Sequence, residues 1–281
     1  MTTPMIAVIF RLFKVFLWLL IVFALVYAAL SFVVRPSLER DWTLDQALLA
    51  RAEISGNTAA IKDIRNIAYR TTSDYDVAYY DKTFDLEKLE SVWFIVEPFS
   101  GHGAGAAHTF VSFGFEGGDY VAISVEIRKE KGESFSPLQG LLRRYEIVYV
   151  VADERDVIKL RSNYRKDEVF LYPVQTSKEN MRRIFVSMLE RANKLATEPE
   201  FYNTLTNTCT TNLVSHVNEI MPGRVPWSYK VLMPAYSDEL AREIGLIDNT
   251  LSIEELRTKY RINDKAFTFA DDPFFSQKIR E

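Results

Sequence analysis

The sequence predicts an α+β protein: a mixed or antiparallel sheet packed against helices and preceded by one membrane-crossing helix. Three observations predict it. Short β-branched and aromatic runs separated by turn signals fill the middle of the chain. Amphipathic stretches at helical spacing follow them. An uncharged apolar run, Val15 to Val34, stands near the N-terminus.

That run is long enough to cross a bilayer as a helix. Arg11 and Lys14 precede it without an acidic residue, so the positive-inside rule puts residues 1–14 in the cytoplasm and exports the rest. A signal peptide cut near Tyr27-Ala28-Ala29 is the rival reading. The run is long for a signal sequence, which favours an uncleaved anchor over residues 15–34. Residues 35–90 then form a juxtamembrane segment and small subdomain, with Trp42 as an interfacial anchor.

Gly56-Asn57 between two short apolar runs predicts a hairpin. Residues 71–90 are polar and aromatic and read as surface. Ser91 to Val96 is a buried strand. His108 to Phe115 and Tyr120 to Arg128 are strands joined by Glu116-Gly117-Gly118-Asp119. Matching their apolar faces requires an odd-length loop, and places His108 on the face of Ser124, Glu126 and Arg128. Tyr145 to Ala152 and Glu168 to Val174 are further strands, with a helix from Asp153 between them. Thr176-x-x-Glu179 reads as a capping box opening a long helix whose Ile184, Phe185, Met188, Leu189, Ala192 and Leu195 stripe is core. Helices from Ser237 and Ser252 follow, and the final DDPFFSQKIRE reads as a loosely held tail. Residues 91–250 are the expected catalytic-type domain, and 251–281 a C-terminal helix and tail.

With 281 residues, 48% of them hydrophobic, the chain can bury a sizeable core. A net charge of -4 gives no basic footprint for nucleic acid. The single cysteine excludes an intramolecular disulfide and a cysteine-cage zinc site. The three histidines lack metal-ligand spacing, and the glycine-rich loop at 97–107 lacks the Gly-Lys-Ser/Thr ending of a Walker loop. No metal or cofactor is expected.

Cys209 follows a Thr- and Asn-rich run and precedes Leu213, Val214, Val217 and Ile220 at helical spacing. It therefore falls at a helix N-terminus, where backbone N–H groups favour negative charge on sulfur. A lone cysteine is often a small core residue, but here its neighbours are polar. His108 is the candidate base, and Glu126 the group that orients its ring; an ion pair of Glu126 with Arg128 or Lys129 on a solvated face is the competing assignment. His216 is two turns along the cysteine's own helix, too far to serve, and His102 is read as exposed and incidental. Tyr202, Asn203, Asn207, Arg128 and Trp227 are candidates for substrate contacts, Trp227 within an aromatic segment, 224–236, that walls a cleft. A strand-borne histidine and a helix-borne cysteine form a papain-like arrangement in permuted chain order.

The segments AHTFVSFGF, ISVEIRKEKGESFSPLQGLLRRYE, VYVVADERD, YRKDEVFLYPV, FYNTLTNTCTTNLV and PGRVPWS resemble the family of the Lnb N-terminal periplasmic domain, over roughly residues 40 to 250. The resemblance implies a permuted papain/NlpC-P60-like fold and a thioester at Cys209 with His108 as base. The type enzyme is a lipoprotein intramolecular transacylase, moving an acyl chain from the lipid-modified N-terminal cysteine to its α-amine. Its lipoprotein-modifying members carry further transmembrane segments after this domain, whereas here the apolar run precedes it.

The expected function is a single-pass bacterial inner-membrane protein with a periplasmic cysteine acyltransferase or acyl hydrolase domain, acting on lipoprotein or lipid acyl groups. A cell-envelope cysteine peptidase or amidase, and a non-enzymatic envelope binding protein on the same fold, are the alternatives.

Overall fold

The computed structural model describes residues 3–99 and 105–281. His102 lies outside the described residues. α1 (Thr3–Val33) contains an apolar stretch, Val8–Ala29, long enough to cross a membrane and exposed except at Tyr27, which is partly covered. Arg51–Ser55 (β1) and Thr58–Arg65 (β2) are the Gly56-Asn57 hairpin. Ala68–Tyr69 (β3) and Tyr75–Asp76 (β4) form a small separate ladder. Tyr79–Asp85 (β5), Leu89–Pro98 (β6), Ala107–Phe115 (β7) and Asp119–Arg128 (β8) follow. Then come Pro137–Leu141 (α2), Glu146–Ala152 (β9), Glu154–Lys159 (α3) and Phe170–Pro173 (β10). The remainder is helical: Lys178–Leu195 (α4), Cys209–Ile220 (α5), Tyr229–Leu232 (α6), Ser237–Glu243 (α7), Ile253–Tyr260 (α8), Asn263–Thr268 (α9) and Phe275–Lys278 (α10).

Among the described residues one eight-stranded sheet runs β1-β2-β9-β8-β7-β6-β10, with β5 also on β2. It is mixed: every pairing is antiparallel except the β2–β9 contact. Residues 71–90, read as surface, thus include a sheet strand, β5.

Alternation divides β7 and β8 between two cores. Val111, Phe113, Val121 and Ile123 face Phe185 and Met188 of α4 and Leu213 of α5. Phe110, Ala122 and Val148 face the other way, towards Val157 and Ile158 of α3, Ala266 of α9 and Phe275 of α10. The pairing Phe115↔Asp119 leaves the three-residue loop Glu116-Gly117-Gly118, the odd length that matching the apolar faces requires. Both glycines take positive φ, 90° and 86°, where a side chain would be strained.

Three local expectations are corrected. The C-terminal residues are not a loose tail: Phe275 and Ile279 are fully buried, and Arg280 pairs with buried Glu154 at 2.5 Å. The α4 cap is Ser177, accepting from Asn180 N–H, rather than a Thr176/Glu179 box. Trp42 is buried under Arg128, whose guanidinium lies 4.2 Å from its ring centre, so it is core rather than an interfacial anchor.

Candidate active site

Cys209 is the first residue of α5, and a capping box explains why the helix starts there. The Thr208 hydroxyl accepts from Thr211 N–H, and the Thr211 hydroxyl accepts from Thr208 N–H. Upstream, Asn203 and Asn207 exchange backbone hydrogen bonds at 3.2 and 2.9 Å and close a tight turn. Their side chains also serve that turn: Asn203 Oδ1 accepts from Leu205 N–H and Thr206 N–H, and Asn207 Nδ2 donates to Phe201 O. Both were expected to touch substrate; they instead shape the turn that presents Cys209.

His108 stands near the start of β7. Thr109 and Thr210, the residues following His108 and Cys209, link their hydroxyls at 3.0 Å, and both are buried. This clip joins β7 to α5 one residue beyond each candidate reacting group. The strand and helix therefore bring His108 and Cys209 to the walls of a single cavity of about 520 Å³. Glu126, Tyr202, Phe99, Phe135, Lys129 and Arg165 are also among its walls.

Glu126 does not hold the imidazole directly. Continuing the ladder from Phe110↔Ser124 brings His108 opposite Glu126, but Nε2 and Oε1 are 4.0 Å apart. Ser124 fills the gap. Its hydroxyl lies 2.7 Å from His108 Nε2 and donates to Glu126 Oε1 at 2.8 Å. A serine hydroxyl has one proton. With that O–H donated in a hydrogen bond to Glu126, the Ser124 oxygen accepts from Nε2–H, and Nδ1 is the basic nitrogen.

Glu126 is anchored from behind by Arg161, whose Nη2 donates to Oε1 at 2.9 Å, while its Nε donates to the fully buried Glu97 at 2.7 Å. Arg161 occupies a π-helical stretch, Leu160–Arg165, that continues α3; such stretches recur at functional sites. Its guanidinium also covers the Phe110 ring at 4.7 Å, and that ring stacks on His108. The solvated ion pair with Arg128 or Lys129 is therefore not what Glu126 makes.

These surroundings set the charges. Burial pushes the Glu126 carboxyl up, but Arg161 and Arg65 outweigh it and hold the group well below the usual carboxylate range. Burial, reinforced by Arg161 and opposed by Glu126, depresses His108 to about 3. The imidazole is thus neutral at neutral pH and free to accept, but a value so far below the operating pH makes it a weak base until opposite charge develops beside it. Burial, with Cys209 alongside, raises the Tyr202 phenol.

Two expected substrate contacts lie elsewhere. Arg128 is buried and donates to Gln46 O at 3.0 Å and Ala47 O at 2.8 Å, clamping the juxtamembrane segment. Trp227 is 88% exposed and outside the cavity. The segment 224–236 instead borders, through Val225 and Val231, a separate apolar cavity of about 100 Å³ behind α5. His216 is not in the Cys209 cavity; it hydrogen-bonds Tyr149 Oη and Ser187 Oγ, both at 2.8 Å. Sequence reasoning missed Arg161 and Glu97. It had Ser124 on the right face but not between His108 and Glu126. Among the described residues no three His, Cys, Asp or Glu side chains are grouped to hold a metal.

The description "Lnb N-terminal periplasmic domain" matches residues 75–235, more than half of the chain and including His108, Ser124, Glu126, Arg161 and Cys209. The chain belongs to the family of the Lnb N-terminal periplasmic domain. The match is narrower than the 40–250 span suggested by the motifs. No curated protein and no solved structure matches the chain. Family membership and the apolar N-terminal helix together fit a membrane-attached protein whose domain faces the periplasm.

Proposed function

We propose that this protein is a single-pass inner-membrane thiol enzyme whose periplasmic domain transfers or hydrolyses acyl groups through a thioester at Cys209. The observation that carries the reading is that Cys209 and a neutral His108, with Nε2 committed to Ser124, line the same cavity. In the first half-reaction Cys209 Sγ attacks the acyl carbonyl, and His108 Nδ1 takes the thiol proton. The carbon–oxygen bond to the leaving alcohol breaks as that proton is returned. An amine or water then attacks the thioester, His108 accepts its proton, and the thiol is restored. Glu126, through Ser124, keeps the ring in the productive tautomer. A permuted papain/NlpC-like relation is supported by this pairing of a strand histidine with a later helix-start cysteine. On this reading the enzymatic domain spans residues 91–250.

The alternative of a cell-envelope peptidase or amidase gains from the cavity walls. Lys129, Glu133, Arg165 and Asp167 bring more charge than an acyl chain needs, and the aromatic segment expected to line the cleft is elsewhere.

The test is mass spectrometry of the full chain in detergent after exposure to p-nitrophenyl palmitate. A hydroxylamine-labile palmitoyl mass on Cys209, absent in Cys209→Ala and strongly slowed in His108→Ala, is the expected result. Persistence of the adduct in Cys209→Ala would overturn the thioester mechanism. A missing adduct together with cleavage of peptidoglycan would assign the dyad to the peptidase reading.

A further inference from the structure

We propose that α2 and the 201–207 turn form a bilayer-docking face that seats the mouth of the Cys209 cavity on the lipid surface. This rests on the reading of α1 as a membrane anchor. Four large apolar side chains stand exposed there: Phe135 at 44%, Leu138 at 64%, Leu142 at 38% and Leu205 at 53%. Scattered exposed apolar residues are ordinary, but a contiguous group needs a partner. These belong to segments that touch. Thr204 Oγ1 donates to Pro137 O at 2.7 Å, and a Cβ on Gly140 would fall 2.4 Å from Thr204 Oγ1. The Phe135 ring meets Tyr202 edge-on at 6.4 Å, and both residues also wall the Cys209 cavity. The apolar face and the cavity mouth are therefore continuous.

Two observations make lipid the occupant. First, the far end of α1 reaches this face. The Arg143 guanidinium lies 5.7 Å from the ring centre of Tyr27, within the apolar stretch of α1, and 5.7 Å from that of Phe201, beside the turn. Second, the tether is short. Ser37, four residues past the end of α1, is already bonded to the domain through Glu146 at 3.0 Å, and Arg40 pairs with the same carboxylate at 2.9 Å. Four residues reach at most roughly 14 Å, less than half of a bilayer's hydrocarbon core of about 30 Å. The domain is thus held at the membrane, and the surface beside the anchor is the apolar one. Arg143 and Arg144 at its border suit lipid phosphates, as cations do on interfacial helices. An acyl group still attached to its lipid would then enter the cavity without crossing water.

The experiment uses the full chain carrying Cys209→Ser, which removes the sole thiol. Single cysteines are introduced as Leu138→Cys, Leu205→Cys, Trp227→Cys, Phe267→Cys or Leu19→Cys and labelled with an environment-sensitive dye. Each is reconstituted into phosphatidylcholine/phosphatidylglycerol nanodiscs containing a doxyl-labelled lipid. Labels at 138 and 205 are expected to be quenched at least twofold more than those at 227 and 267. Equal quenching at all four overturns the docking face while a quenched Leu19 position leaves the anchor reading intact. An unquenched Leu19 position overturns both. Shielding at 138 and 205 that persists in lipid-free detergent and depends on protein concentration would assign the face to a second copy instead. Because Cys209 is absent throughout, no outcome depends on the thioester chemistry.

Discussion

A serine hydroxyl carries one proton, and where Ser124 sends it decides which nitrogen of His108 is basic. The O–H points to Glu126 in a hydrogen bond, to a carboxylate kept ionised by Arg161 and Arg65. Ser124 therefore acts only through His108, which makes its role testable by a mutant cycle. Ser124→Ala should slow iodoacetamide labelling of Cys209 by up to about tenfold, the rate equivalent of one net hydrogen bond of roughly 1.4 kcal/mol. The same change in a His108→Ala background should have no further effect. Additive losses would mean that Ser124 acts by another route. Cys209, His108 and Glu126 were legible as candidates because one is the sole cysteine and the others share a strand face. The 4.0 Å gap that Ser124 fills was not, since alternation specifies a face and not a distance. Arg161 left no local signal. It lies 35 residues beyond Glu126, on an element whose place depends on the whole sheet.

At the scale of elements, the helix start at Cys209 was readable because caps are local chemistry. Thr208 and Thr211 satisfy each other's backbone within a single turn. The C-terminal end misled for the opposite reason. α10 has four residues, too few for a periodic pattern, yet it covers the face of the sheet that carries His108 and Ser124. Phe275, in the same core cluster as Phe110 and Ala122, is fully buried there. Phe275→Ala should destabilise the full chain by about 3–5 kcal/mol, the usual loss for a buried aromatic ring. Chemical denaturation in detergent measures this; a loss under roughly 1 kcal/mol, the scale of a surface site, would return the segment to a loose tail. Trp42 and Trp227 exchanged their expected surroundings because composition does not say which aromatic finds a partner. Arg128 buries the first, and the second stays exposed.

Over the whole molecule, two imidazoles, one buried and one mostly covered, couple folding to acidity. His108 is depressed to about 3 and His216 to about 4, in both cases first by burial. Above the unfolded value of about 6.5 both are neutral folded or unfolded, and neither opposes folding. As the pH falls below that value the unfolded chain takes up protons that the folded chain refuses, so stability drops until the folded values are reached. At about pH 5 each histidine should cost about 2 kcal/mol relative to about pH 7. His216→Gln should therefore lose about 2 kcal/mol less than the parent chain over that interval, read from urea midpoints. An equal loss would show that His216 is not held neutral. The sequence by itself determined the apolar N-terminal helix, most of the strands, the β7–β8 register, the helix start at Cys209 and the family. Each of these depends on neighbours a few residues apart, through hydropathy, alternation or capping. Tertiary structure alone decided that Ser124 and Arg161 complete the histidine's support, that α10 closes the core, and that Arg143 lies between Tyr27 of α1 and Phe201. Those arrangements depend on contacts between distant segments, which only the packed sheet brings within hydrogen-bonding and van der Waals range.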